Sequence, residues 1–298
     1  MKIFNFRHSV RIYLQGGLGN QLFIMTAGLV FAIKKNRNLI LDASLMPIGF
    51  SKRNIEIETI NFPIPVRFSN GLSRLGSTVL IQIFNRLFKV NCLSRYFGRF
   101  VSDDVGFSTL PISKIGIRSL QGYFQSYLYF QELQNLLPNW NPLQDQHFSA
   151  DYQSTLRELQ ILNPIVLHVR LGDYKQHADS FGLLSEKYYL DSLVKLRGLG
   201  VNSPIWLMSD EPLIAIKKFK SVEISRFVFP KLNSLEVMAL MSHAKMLIIS
   251  NSSFSWWAGS LAKQGTIVIC PDKWFKNLTD PSLLCHPNWI RVSSSWEQ

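Results

Sequence analysis

Three side chains at the end of one predicted strand have the chemistry to act on a phosphate. The apolar run 164–170 (PIVLHVR) carries His168 and Arg170 and is followed by Leu171-Gly172-Asp173. Two residues apart on a strand, His168 and Arg170 point to the same face. The planar, permanently charged guanidinium of Arg170 suits phosphate oxygens. Asp173 either pairs with Arg170 or serves as general base, and His168 is a third catalytic candidate, although a lone strand histidine is more often a core residue.

A serine-rich segment provides a second phosphate candidate. Residues 250–257 (SNSSFSWW) run from a predicted strand directly into a predicted helix. Free backbone N–H groups, the helix dipole and hydroxyl groups together form an anion cradle at such a junction. Helix capping explains one serine, so we predict that Ser252, Ser253, Phe254 and Ser255 contact a diphosphate.

The glycine-rich turn near the N-terminus allows two interpretations. Gly17-Leu18-Gly19-Asn20 follows a predicted strand, and Asp42 lies at about the distance at which a dinucleotide-binding protein places its ribose-binding acid. The third glycine of that fingerprint is replaced by Leu22, which would crowd the packing of helix on strand. An NAD-dependent oxidoreductase therefore remains an alternative, and the other interpretation makes Gly17, Gly19 and Asn20 part of a different ligand site.

Strands alternate with helices in two regions of the chain. Near the N-terminus the pattern predicts a strand from Val10 to Gln15, a helix over Asn20 to Asn36 and a strand from Asn38 to Asp42. Later strands are predicted at 164–170, 204–210, 222–229, 245–250 and 266–270, with helices at 186–199, 212–219, 235–244 and 254–263. Such alternation indicates parallel, doubly wound sheets, whose ligands bind at the carboxyl ends of the strands.

The domain organisation follows from these two regions. A cluster of Pro and Gln residues around 138–146 separates them, which predicts lobes at 1–145 and 146–298. The stretch from about 43 to 120 is irregular and predicts only mixed helix and loop. Within it, residues 78–88 (TVLIQIFNRLF) predict a helix that is either buried or interfacial.

Composition narrows the class of partner. The net charge of +12 is spread over scattered basic residues, so we expect a diphosphate-bearing substrate, with contact to an anionic membrane surface also allowed, rather than nucleic acid. The chain has three cysteines and no CxxC pair, which is typical of reduced cysteines. Its N-terminus carries charges and lacks the unbroken apolar core of a signal peptide. Both features predict a cytoplasmic protein, with a peripheral position at the inner face of the membrane also allowed. Without HExxH or DxD motifs, we expect no metal and no other cofactor.

Three motifs, in this order, resemble those of glycosyltransferase family 11, the α1,2-fucosyltransferases. They are GGLGNQLF (16–23), HVRLGDY (168–174) and SNSSFSWWAG (250–259), and the VICPDKWF segment with Pro287-Asn288-Trp289 resembles the family's C-terminal end. The resemblance implies a GT-B-like fold of two Rossmann-type lobes with parallel sheets. It also implies an acceptor-side N-terminal lobe and a C-terminal lobe that binds GDP-fucose.

The resemblance further implies inverting transfer of fucose, without a metal, to the 2-hydroxyl of a galactose in a glycan. It places the β-phosphate on Arg170, the diphosphate on the 252–254 segment, and Asn20 on the donor. The acid that the family often carries for the guanine base has no clear counterpart, and Glu236 is the candidate for that role. A nucleotide- or RNA-binding module without turnover is the competing class. The acceptor glycan and the oligomeric state stay open.

Overall fold

The computed structural model describes residues 6–48, 54–69, 98–144, 146–219, 221–228 and 231–297. The chain divides into two compact units, one formed by residues 1–146 with 281–284, the other by residues 147–280 with 285–298. The sequence does not predict that residues 281–284 return to the first unit. Within the described residues, no helix combines the length and the apolar character needed to cross a bilayer.

The first unit is built on a parallel five-stranded sheet. Its strands are β1 (Ser9–Tyr13), β2 (Asn38–Asp42), β3 (Val66–Ser69), β4 (Arg99–Val101) and β5 (Ser119–Gln121), in the order β3-β2-β1-β5-β4. Helix α1 (Leu18–Lys34) connects β1 to β2 and packs against α2 (Tyr127–Leu136). Short 3-10 turns cover Phe6–His8 and Ala43–Ile48.

Helix α1 is buried along most of its length because it lies against one face of this sheet. A Cβ atom on Gly28 would stand 3.0 Å from Ile12 and 3.1 Å from Leu39, so the helix approaches β1 and β2 as closely as glycine permits. Val10 and Ile12 point to that apolar face, in line with their 0% exposure. The predicted βαβ unit is confirmed.

The prediction of only helix and loop over 43–120 was wrong. Three short strands, β3, β4 and β5, lie in this stretch. In parallel pairing, β3 joins the predicted β2, β5 joins the predicted β1, and β4 joins β5. Strands of three or four residues are too short to show a two-residue periodicity, and β3 is only partly buried. The helix predicted at 78–88 lies outside the described residues.

The second unit contains a parallel six-stranded sheet. Its strands are β6 (Ile165–Val169), β7 (Ile205–Ser209), β8 (Arg226–Val228), β9 (Met246–Ile248), β10 (Ile267–Pro271) and β11 (Ile290–Val292). Their order is β11-β10-β9-β6-β7-β8. The sheet therefore runs in one direction from β6 to β8 and then in the other from β9 to β11, which is the doubly wound Rossmann order. The predicted parallel sheets and α/β class are confirmed.

Among the described residues, four helices of this unit begin and end within three residues of their predicted bounds, whereas the helices at 150–162 and 178–181 were not predicted. The helices are α3 (Ala150–Leu162), α4 (Ala178–Phe181), α5 (Glu186–Gly198), α6 (Pro212–Lys218), α7 (Ser234–Ser242) and α8 (Ser253–Ser260), with a 3-10 turn at Asp173–His177. Local capping sets several of these ends. Ser149 caps α3, and Asn163 ends it in the left-handed conformation at φ 48°.

The doubly wound order creates a switch point between β6 and β9. These neighbouring strands pair in register, with Ile165 beside Met246 and Leu167 beside Ile248, and their following loops leave the sheet on opposite sides. A crevice opens at such a point, and ligands of open α/β sheets bind there. The two predicted phosphate segments, 168–173 and 250–255, are the two segments that follow β6 and β9.

Candidate active site

Asp210 holds the guanidinium of Arg170. Nη1 of Arg170 lies 2.9 Å from Oδ2 of Asp210, and the two side chains are 17% and 24% exposed. The other oxygen of Asp210 accepts the backbone N–H of Leu171 at 3.0 Å. Asp210 follows β7, the neighbour of β6, so one carboxylate fixes both the side chain and the backbone of the segment after β6.

Gly172 makes room for this carboxylate. A Cβ atom at position 172 would stand 2.5 Å from Oδ2 of Asp210, closer than real Cβ contacts allow. The glycine of the 168–174 motif therefore serves the ion pair of Arg170 and Asp210. The sequence shows the glycine, but the carboxylate that requires it is 38 positions further along the chain.

Tyr174 connects the ends of β6 and β9. Its ring centroid is 5.8 Å from the guanidinium carbon of Arg170, and its hydroxyl donates a 2.8 Å hydrogen bond to the carbonyl of Asn251. The amide of Asn251 in turn donates to the carbonyls of Phe181, Gly182 and Trp274. Asn251 therefore ties three loops together at this edge of the sheet.

His168 is buried beside this edge. It is 4% exposed, its Nδ1 lies 3.0 Å from the hydroxyl of Ser250, and its ring lies 5.5 Å from that of Phe254. Burial lowers the pKa of His168 to about 4, with Asp210 raising the pKa and Arg170 lowering it. The imidazole is neutral at pH 7. Its contacts support a packing and orienting role and give no support to the predicted direct catalytic role.

The serines of the 250–255 segment divide into internal and outward residues. Ser252 caps α8 through the N–H of Phe254 at 3.3 Å. Ser255 is fully buried, and its hydroxyl is within 3.3 Å of the carbonyls of Ser250 and Ser252. These hydroxyls are thus used inside the protein, whereas Ser253 and Phe254 are partly exposed at the first turn of α8.

Glu236 has different surroundings from those expected. Both oxygens of Glu236, which is 3% exposed, accept backbone N–H groups, from Ser149 at 2.6 Å and from Asn233 at 3.0 Å. These hydrogen bonds hold its pKa below the usual value against the opposing effect of burial. Glu236 completes the capping box of α7, so both of its carboxylate oxygens are used within the protein. The side chain of Asp173 lies outside the described residues, and its backbone opens the 3-10 turn.

The glycine-rich turn of the first unit binds a carboxylate of the protein itself. Gly17 precedes α1, and the N–H of Leu18 donates to Oε1 of Glu56 at 3.1 Å. The side chain of Asn20 accepts a 2.8 Å hydrogen bond from Nε2 of Gln125. A Cβ on Gly16 would stand 2.5 Å from the amide of Asn20, while Gly19 is buried in the first turn.

The NAD-dependent alternative requires the start of α1 for a pyrophosphate and Asp42 for a ribose, and both are occupied by contacts within the protein. Asp42, the predicted ribose ligand, is 2% exposed and forms an ion pair with Arg11. Its Oδ1 also accepts the N–H of Ser44 at 2.9 Å. Since the anion position at α1 is taken by Glu56 and the acid is used internally, the structure argues against the NAD-dependent alternative.

The two adjacent tryptophans of α8 are core residues. Trp256 and Trp257 are both 0% exposed, with ring centroids 5.2 Å apart. Trp256 stacks on His286 at 5.3 Å, and burial lowers the pKa of His286 to about 4. In the described part of the chain, no group of three or more His, Cys, Asp or Glu side chains is arranged to hold a metal ion.

Comparison with known proteins agrees with the motifs. The profile of the family described as glycosyl transferase family 11 matches residues 51–293. An alpha-1,2-colitosyltransferase from Escherichia coli is 29% identical over 292 residues, covering 94% of this chain and 97% of that protein. The O-antigen biosynthesis glycosyltransferase WbnK from Escherichia coli is 26% identical, covering 94% of this chain and 99% of its own.

A solved structure supports the fold. The fucosyltransferase NodZ from Bradyrhizobium matches with a TM-score of 0.50 at 12% identity, covering 86% of this chain and 93% of that one. This agrees with the predicted GT-B-like class of two Rossmann-type sheets. With the family profile spanning most of its length, the chain belongs to glycosyltransferase family 11 and is a glycosyltransferase.

Proposed function

We propose that the protein transfers L-fucose from GDP-fucose to the 2-hydroxyl of a galactose residue in an acceptor glycan, with inversion and without a divalent metal. The observation that carries this proposal is the arrangement at the β6/β9 switch point. There Arg170 is fixed by Asp210, and the first turn of α8 follows the neighbouring strand. A fixed guanidinium and a helix N-terminus are two groups that bind a nucleoside diphosphate.

The reaction places negative charge on the leaving diphosphate. The acceptor hydroxyl oxygen attacks the anomeric carbon while the bond from that carbon to the β-phosphate oxygen breaks. Arg170 stabilises the charge that grows on this oxygen, together with the N-terminal end of α8, which begins at Ser253. The acceptor proton passes to a general base, for which Asp173 is the proposed residue.

The ion pair with Asp210 orients Arg170 for this role. An arginine side chain has several rotatable bonds, and fixing its position before the reaction avoids an entropic cost in the transition state. Asp210 takes one edge of the guanidinium fork at 2.9 Å. The guanidinium oriented in this way is the group that we assign to the phosphate.

The linkage and the sugar follow from different evidence. The name of the Escherichia coli relative specifies an alpha-1,2 linkage, which supports the proposed 2-hydroxyl acceptor. That name also specifies colitose as the transferred sugar, so a colitosyl donor is the second candidate. Fucose is favoured here by the resemblance of the three motifs to fucosyltransferases.

A donor and acceptor panel tests the proposal. The protein is incubated in EDTA with GDP-fucose, GDP-colitose, GDP-mannose or UDP-galactose and with galactose-terminated oligosaccharides, and the linkage of any product is determined. We expect an α1,2-fucosylated product with GDP-fucose that disappears in the Arg170→Ala variant. Transfer from GDP-colitose alone would show that the donor assignment is wrong, and loss of activity in EDTA would contradict metal independence. Melting shifts with RNA but with no sugar nucleotide would favour the binding-module alternative.

A further inference from the structure

The first unit carries most of the protein's net positive charge. Residues 1–146 contain 16 of the 32 basic side chains but only 7 of the 20 acidic ones, which gives +9 of the net charge of +12. The phosphate-binding residues that we propose lie in the other unit. The excess charge of the first unit therefore needs a different explanation.

Part of this charge lies at the amino ends of the strands of the five-stranded sheet. Residues 34–37 lead into β2 and residues 112–118 lead into β5, and together they hold five basic and no acidic side chain. The guanidinium of Arg37 donates a 2.6 Å hydrogen bond to the carbonyl of Ile117, which joins the two segments. We call this surface the basic edge: Lys34, Lys35, Arg37, Lys114 and Arg118.

An apolar side chain projects from the middle of the basic edge. Ile115 is 98% exposed, the highest value among the large exposed apolar residues of the described chain, and exposed Lys114 and Arg118 flank it. A backbone hydrogen bond anchors this turn, because the carbonyl of Gly98 accepts the N–H of Arg118 at 2.7 Å. Full exposure of this isoleucine is thus a feature of an anchored turn.

A cavity of about 300 Å³ lies next to this turn. Its lining is largely apolar, and Lys34 and Glu132 form an ion pair among the lining residues. Ile112, two positions before Lys114, also lines it. The apolar lining residues are Val30, Phe107, Leu110, Ile112 and Leu128.

We propose that the basic edge docks the protein on the surface of an anionic phospholipid bilayer. Lys and Arg side chains are attracted to the negative lipid headgroups. Each contributes about 1 kcal/mol to the binding free energy near the surface, which raises the membrane partition coefficient about fivefold. Ile115 inserts among the upper acyl segments, and the adjacent cavity offers further apolar contact. A nucleic acid would use the charge but not the projecting isoleucine.

Vesicle sedimentation tests this proposal. The full chain is mixed with vesicles of phosphatidylcholine alone or with added phosphatidylglycerol, over a range of salt. We expect binding only to the anionic vesicles, weakening as salt rises because the charges are exposed. The double substitution Lys114→Glu/Arg118→Glu should lower the partition coefficient by about 25-fold or more, and Ile115→Ser by roughly tenfold.

Matched control variants lie in the other unit. Ile161 is 81% exposed and Lys195 is also exposed, so Ile161→Ser and Lys195→Glu should bind vesicles like the native chain. Sedimentation with vesicles uses no sugar nucleotide, so this test does not depend on the proposed donor, and all four variants should keep the native transfer rate on a soluble acceptor. Equal binding to neutral vesicles, native-like binding of the basic-edge variants, or RNA binding in place of vesicle binding would overturn the proposal.

Discussion

Replacing Asp210 by asparagine tests whether this carboxylate acts through Arg170. In the native chain, Oδ1 of Asp210 accepts the N–H of Leu171 at 3.0 Å and Oδ2 lies 2.9 Å from Nη1 of Arg170. The asparagine amide keeps the shape and an oxygen for Leu171 but loses the negative charge that faces Arg170. A hydrogen bond to a charged group contributes about 1.5–3 kcal/mol. Since the two side chains are only 17% and 24% exposed, solvent screens the pair only in part.

Asp210→Asn should lower kcat by no more than the removal of the Arg170 guanidinium does. Removing one preorganised donor to a developing charge lowers kcat by about 100–1000-fold. Asp210→Asn leaves the guanidinium present but less well oriented, so we expect kcat to fall by about 10–100-fold, with a smaller change in KM for the donor. The charge that Arg170 meets is larger in the transition state than in the bound donor, and this is why kcat should change more.

Initial rates against donor concentration and a double-mutant comparison measure this. Asp191→Asn is the control, because Asp191 pairs with Lys187 at 2.8 Å on the exposed surface and should leave the rate unchanged. If Asp210 acts through Arg170, the double variant Arg170→Ala/Asp210→Asn should be no slower than Arg170→Ala alone. A native kcat in Asp210→Asn, or full additivity in the double variant, would refute the reasoning.

Four further outcomes are expected. Arg170→Lys should lose nearly as much kcat as Arg170→Ala, since an ammonium cannot hold Asp210 and a phosphate in one planar fork; recovery to within a few-fold of native would contradict this. Gly172→Ala, whose Cβ would stand 2.5 Å from Oδ2 of Asp210, should reproduce the kinetic defect of Asp210→Asn in the same rate assay. Glu236→Gln should lower the free energy of unfolding by about 1–2 kcal/mol in denaturant titrations with an unchanged donor KM, and a raised KM would restore its predicted role at the base. Because the pKa of His168 falls from about 6.5 to about 4 on folding, its contribution to stability is full above pH 6.5 and is lost as pH falls from 6.5 towards 4, by up to about 3 kcal/mol; a His168→Asn variant should show a correspondingly flatter pH dependence of unfolding.

Local patterns explain the parts of the fold that the sequence predicted well. The strand β2 and the helices α5 and α6 lie within one residue of their predicted ends, because each follows a periodic pattern that extends over only a few residues. The strands β3, β4 and β5 were missed because three or four residues carry no such pattern. Their positions are fixed by pairing with distant strands.

The candidate site shows the same division. Arg170 and the 250–255 segment could be identified from residue type and from their position after strands. The contacts that decide their roles could not, because nothing in the sequence connects Asp210 to Arg170 or Tyr174 to Asn251. Glu236 shows the opposite case: its residue type fits the guanine-binding role, and only the structure shows that its carboxylate caps a helix.

The sequence by itself therefore determined the family motifs, the alternation of strands and helices, and the edge of the sheet at which polar residues collect. Only the tertiary structure decided that β6 and β9 are neighbours, that Asp210 orients Arg170, and that Glu56 occupies the start of α1. The physical reason is the range of the interactions. Periodicity and capping act over a few residues, whereas strand order and the pairing of buried charges depend on contacts between residues tens of positions apart.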